Sequence, residues 1–174
     1  MRKQLQTSQK STAILELDIK NRLRPILQIL DIKPHLVTLQ NNESLLWADY
    51  IRATPKPIPI RISFSAEIKN LGSVPALQVR GKWMQGKEKI TRESLKHGKE
   101  DPSFPLGVGE SYPFTVNFTW DEFLESKHDY YYIGMRIEYD VLDKKEEIGK
   151  IFQIKYNTIL NLDYWITPPT RDNQ

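Results

Sequence analysis

The sequence predicts a mostly-β domain, an antiparallel sandwich of about seven to nine strands, and three observations carry that expectation. Ile60, Ile62, Phe64, Ala66 and Ile68 alternate with Arg61, Ser63, Ser65, Glu67 and Lys69 without a slip. A period of two lays apolar side chains on one face of a strand and polar ones on the other. The same alternation returns in Tyr112, Phe114, Val116 and Phe118, and again in Tyr131, Ile133, Met135, Ile137 and Tyr139. Turn-forming clusters separate such runs: Asn41-Asn42-Glu43-Ser44, Asn70-Leu71-Gly72-Ser73 and Asp143-Lys144-Lys145-Glu146.

The chain opens on a stretch that supports two readings. Leu15, Ile19 and Leu23 lie four apart, and Glu16 with Lys20 and Asp18 with Arg22 are acid-before-base pairs at the helical spacing. Ala13, Leu15, Leu17 and Ile19 also alternate with polar neighbours, as a strand would. A helix over residues 2–22 is the preferred expectation, ended by Pro25. Its apolar stripe, Leu5, Ile14, Leu15, Ile19 and Leu23, needs a partner surface.

Residues 26–32 and 36–39 read as strands interrupted at Pro34. Prolines at 55, 57 and 59 keep the following segment extended and free of ladder bonds. Residues 60–69 and 77–83 then form a hairpin-like unit, with Leu77, Val79 and Trp83 on its apolar face. From 84 to 110 the chain is charged and turn-rich, which predicts a long, protease-sensitive loop. Thr119-Trp120-Asp121-Glu122 matches a capping box and predicts a short helix near 120–126. A hairpin of 131–139 with 148–156 and a last strand over 160–166 complete the sandwich. The expected organisation is a helix or linker over 1–23, the sandwich over 24–167 and a disordered tail over 168–174. Phe64, Ile68, Val79, Phe114, Val116, Ile133, Ile137 and Ile154 are the expected core.

Composition narrows the function classes. With 25 Lys+Arg against 22 Asp+Glu the net charge is +3, and acids sit beside bases along the whole chain. No basic stripe tracks a phosphate backbone, so nucleic acid is not an expected partner. Cysteine is absent, which excludes disulfides, thiolate nucleophiles and Cys-ligated zinc. No run of about 18 apolar residues and no signal-peptide core occurs in the sequence.

Chemistry-bearing motifs are scarce. His35, His97 and His128 are far apart in sequence and lack partners at metal-ligand spacing. Asp140, Asp143, Glu146 and Glu147 form an acidic cluster, but Lys144 and Lys145 sit inside it and oppose a cation. There is no Gly-x-Ser-x-Gly elbow, and Gly107-x-Gly109 precedes a strand rather than a helix. No enzyme activity, cofactor or metal is expected. The aromatic residues are the candidate binding surface: Trp120, Tyr130, Tyr132, Tyr164 and Trp165, with Trp83 and Tyr131 assigned to the core.

The phrase Asn70-Leu71-Gly72-Ser73-Val74-Pro75-Ala76, followed by Val79, resembles the turn of immunoglobulin-like sandwich domains in bacterial and archaeal surface or membrane-associated proteins, including the CARDB-like group. Leu106-Gly107-Val108-Gly109-Glu110-Ser111 and Ile137-Glu138-Tyr139-Asp140 are similar to two further signatures of those domains. Residues 5–25, ending Arg22-Leu23-Arg24-Pro25, look like the helix that joins a membrane span to such a domain. The resemblance implies an immunoglobulin-like fold and a non-catalytic interaction or spacer module. It further implies the soluble part of a membrane-anchored protein, extracytoplasmic, with a protein partner or self-association. The alternative function is a carbohydrate-binding domain using exposed Trp and Tyr.

Overall fold

The structure, a computed structural model, describes residues 23–141, 144–156 and 158–167. The helix expected over 2–22 and the tail over 168–174 lie outside the described residues. The rest is mostly β, in two antiparallel sheets. In chain order the elements are β1 (Leu27–Ile29), β2 (Lys33–Leu39), β3 (Ser44–Leu46), α1 (Trp47–Arg52), β4 (Pro59–Asn70) and β5 (Ala76–Gly86). A 3₁₀ turn (Ser94–His97), β6 (Lys99–Glu100), β7 (Phe104–Leu106), β8 (Ser111–Thr119), α2 (Trp120–Glu125), β9 (Tyr131–Val141), β10 (Lys144–Lys155) and β11 (Thr158–Thr167) follow. Eleven strands are thus described, more than the seven to nine expected, because the short β3, β6 and β7 carry too few residues to show a period.

In the first sheet β4 is central, pairing with β8 on one side and with β1 and β2, end to end, on the other; β3 extends β2. In the second, β5 pairs with β6 and β7 on one side and with β9 on the other, followed by β10 and β11. Inward side chains of both sheets fill one core, among them Ile62, Phe64, Phe118, Ile133, Met135, Ile148 and Phe152. Edge-to-face pairs of Phe64 with Phe118 and of Phe118 with Tyr131 hold its centre, at 5.7 and 5.6 Å. All eight residues expected in the core are buried.

The 60–83 unit is not a hairpin. β4 and β5 lie in different sheets, and the segment between them crosses the sandwich. Asn70 makes that crossing possible. Its fully buried amide accepts from the Gly72 and Ile26 N–H groups at 2.9 and 3.3 Å and donates to the Val74 and Leu106 carbonyls at 2.9 and 3.1 Å. One side chain thereby satisfies main-chain groups of the approach to β1, the crossover and β7. Gly72 is required beside it, because a Cβ there would overlap the Arg24 carbonyl oxygen and Pro25.

Leu77 is exposed rather than core. The β5–β9 register shifts between Leu77 and Arg80, and Gln78 takes a φ of 51°. This bulge resets the alternation, so Ala76 and Val79 are the inward pair. Ile60 is also exposed: the β2–β4 register shifts there, passing from Thr38 opposite Arg61 to Leu39 opposite Pro59 and leaving Ile60 without a partner on β2. Lys144, Lys145 and Glu146 belong to β10, opposite Val141, Asp140 and Tyr139, rather than to a turn.

The 84–110 segment is ordered structure, not a plain loop. It holds the end of β5, the 3₁₀ turn, β6 and β7, and it drapes Ile90 and Leu95 over the outer face of the second sheet. Gly134 makes room for both, since a Cβ at that position would crowd their side chains. The capping box of α2 is present: Thr119 Oγ1 accepts from the Glu122 N–H, and Glu122 accepts from the Thr119 N–H at 2.8 Å. α1 has no side-chain cap and only six residues, which left it without a sequence signal; packing of Trp47 and Tyr50 holds it.

Candidate functional site

Between β8 and the β5–β6 edge the two sheets separate and leave an open cleft of about 450 Å³. Its lining mixes aromatic and polar residues: Trp83, Tyr112 and Phe114 with Gln85, Lys99, Asp101, Thr115 and Asn117. Alternation in β8 explains the arrangement. Phe114, Val116 and Phe118 point into the core, so Thr115 and Asn117 stand on the opposite face of the strand. Trp83, half-buried, packs edge-on against Phe114 at 5.9 Å, and the Lys99 ammonium lies 5.2 Å over the Trp83 ring.

Both ends of the cleft are closed by specific contacts. At one end Phe104 of β7 stacks on Tyr112 of β8 at 3.8 Å. At the other Gln85 Nε2 donates to the Asn117 carbonyl at 2.9 Å. That bond places the Asn117 main chain on the side of β8 that faces away from β4, which pairs with no strand among the described residues. By the two-residue period Thr115 and Pro113 share that side, and the proline has no N–H to offer there. The Thr115 main chain is therefore the hydrogen-bonding stretch between the two closed ends.

The aromatic residues singled out from the sequence are not gathered on one platform. Trp120 opens α2 and packs between Tyr50 and Phe123, at 5.4 and 5.2 Å. Trp165 is buried on the outer face of the second sheet, its Nε1 donating to Glu147 at 2.7 Å and its ring carrying Arg92 at 4.8 Å. Tyr132 packs against the same small cluster of Ile90, Leu95 and Ile151. Tyr164 is exposed on the other face of β11, 5.7 Å from the Lys150 ammonium, and Tyr130 is exposed under Lys155 at 5.3 Å. The structure brings Tyr132 and Trp165 together and leaves the other three apart. The cleft was missed because its residues come from β5, β6 and β8, which are remote in sequence.

Several charged groups elsewhere are paired. Asp31 is held below the usual carboxylate range by the hydrogen bond and charge of Lys150. Asp163 is likewise lowered by its hydrogen bond to Arg92. Burial, and then its 2.8 Å bond to Glu146, pushes the Tyr139 phenol well above its ordinary value. Among the described residues no group of three or more His, Asp or Glu side chains is placed to hold a metal ion, and no helix is long and apolar enough to cross a membrane.

No family model matches the chain, and no curated protein matches it. The CARDB-like resemblance therefore stands on its turn motifs alone. Among solved structures the chain is similar to a Bordetella pertussis protein provisionally named ApaA, at 14% identity over 84% of this chain and 96% of that one. The TM-score is 0.33, a likeness too loose to bear on fold or function.

Proposed function

We propose that this domain is a non-catalytic interaction module that receives an extended segment of a partner protein in the cleft between β8 and β5. The observation that supports the reading is the cleft itself: one wall is a strand that, among the described residues, is unpaired on that side, and the floor is aromatic. Extended peptides bind such edges through main-chain hydrogen bonds, with neighbouring side chains supplying selectivity. The span from Tyr112 to Asn117 is roughly 17 Å at strand rise, enough for five or six residues. A sugar ring stacked on Trp83 would have to displace Lys99 from its face, so the geometry favours the peptide reading over a carbohydrate module. The resemblance of residues 5–25 to membrane-proximal helices supports a place beside a membrane, with the cleft turned to its partner.

The reading is tested by selecting binders from a random 12-residue peptide library displayed on phage. Selected peptides are then titrated against the native chain and against Thr115→Pro by Trp fluorescence. Proline on the unpaired side of an edge strand spares the β4 ladder, so the variant is expected to fold and to lose at least tenfold in affinity. Peptides indifferent to the substitution, or a fluorescence response to mixed glycans instead, would overturn it.

A further inference from the structure

We propose that β11 is a self-complementary edge through which two copies of this chain pair antiparallel, joining their second sheets into one. β11 ends that sheet; among the described residues only β10 pairs with it. Edge strands are usually blunted by Lys, Pro or inward charge. β11 contains neither Lys nor Pro, and it exposes Leu160, Leu162, Tyr164 and Ile166 at 48, 43, 44 and 53%.

The occupant follows from the pattern of the strand. An isologous interface requires that residue i meet j while j meets i. Folded about a dyad between Leu162 and Asp163, the strand Thr-Ile-Leu-Asn-Leu-Asp-Tyr-Trp-Ile-Thr sets Thr158 against Thr167, Ile159 against Ile166, Leu160 against Trp165 and Asn161 against Tyr164. These partners differ in parity, so a regular strand would put each pair on opposite faces. The bulge removes the conflict. The β10–β11 register shifts between Ile151 and Phe152, with Leu162 as the extra residue. Ile159, Asn161, Tyr164 and Ile166 consequently stand opposite Ile154, Phe152, Lys150 and Ile148, on the core side. Leu160 and Trp165 stand opposite Gln153 and Gly149, on the outer side. The pairs Ile159 with Ile166, Leu160 with Trp165 and Asn161 with Tyr164 then each share a face, as opposed residues of an antiparallel ladder must.

Charge permits the arrangement. The one ionisable carboxylate of the strand, Asp163, is held by two Arg92 bonds of 2.8 Å within its own copy, so like charges do not meet uncompensated at the dyad. The four exposed side chains offer on the order of 300–400 Å² per copy, on the scale of 150–250 Å² for one whole aromatic side chain. Twice that falls below the roughly 1,200–2,000 Å² of a standard stable interface. The dimer is accordingly weak and reversible.

Sedimentation of the full chain as a concentration series reads the dimer directly. Reversible dimerisation is expected, abolished in the double variant Leu160→Lys/Ile166→Lys without a change in melting temperature. The chain lacks cysteine, so single introduced thiols report the register. Under mild oxidation Leu162→Cys, one residue from its own mate, is expected to cross-link. Leu160→Cys, whose mate lies about 16 Å away along the ladder, is not. A full chain that stays monomeric at several hundred micromolar overturns the proposal, including the case in which residues 1–22 cover the edge. So does a dimer that survives the lysines, or one in which both thiols link equally.

Discussion

Replacing Asn70 by alanine removes the side chain that ties the crossover at Gly72 and Val74 to the approach to β1 and to β7. Its four hydrogen bonds, at 2.9, 2.9, 3.1 and 3.3 Å, all run to main-chain groups. The bonds to the Gly72 N–H and the Leu106 carbonyl are buried, and water cannot replace them readily. Orphaning each such group costs about 1–3 kcal/mol, and losing each of the two part-buried bonds about 0.5–1.5 kcal/mol. The expected loss is therefore about 3–9 kcal/mol, a large share of a domain's total stability. Urea unfolding followed by Trp fluorescence should show it as a fall in midpoint at unchanged slope. For a chain of this length a loss of about 4 kcal/mol corresponds to roughly 8–16 °C in melting temperature. Asn70→Asp is the sharper variant. It keeps both acceptor roles but turns lone pairs toward the Val74 and Leu106 carbonyls, so it should be at least as damaging near neutral pH. A loss under about 1 kcal/mol for Asn70→Ala, or an aspartate variant as stable as the native chain, would refute the claim that this amide holds the crossover.

Gly149→Ala should expel Trp165 from the outer face of the second sheet, because the added Cβ would overlap its ring. A red-shifted Trp emission with a loss of about 1–3 kcal/mol is expected, and an unshifted spectrum would show that the ring can yield in place. Tyr139 is one of three buried phenols, with Tyr50 and Tyr131, that burial holds above the ordinary value, and it contributes to the alkaline loss of stability. Its folded phenol is held above the unfolded value of about 10, so its contribution is intact below that pH and is lost as pH rises beyond it. Stability should decline above about pH 10 by up to roughly 1.4 kcal/mol per unit. Tyr139→Phe should start less stable and flatten that decline; a native chain with no such decline would refute the burial argument.

What the sequence determined by itself was everything that depends on local periodicity or on groups within one turn of each other. Phe114, Val116 and Phe118, or Ile133, Met135 and Ile137, face inward because a strand alternates sides wherever it lies, and those positions are buried. The Thr119–Glu122 capping box is equally local, since both partners sit within a single helical turn. Tertiary structure decided what periodicity cannot encode. Whether β4 and β5 share a sheet depended on Asn70 reaching segments as distant as Ile26 and Leu106. The parity of Leu77 turned on one bulge, invisible to a pattern that assumes regular strands. The charged run from 84 to 110 reads as solvated loop because only Ile90, Leu95 and Leu106 in it are buried, and the surface that Ile90 and Leu95 cover, opened by Gly134, comes from β9 some forty residues later. The cleft belongs to the same class: Trp83, Lys99 and Thr115 meet only because two sheets diverge along one side of the sandwich. A sequence states which face of each strand is apolar, but the pairing of faces is settled by long-range packing, whose partners no local window contains.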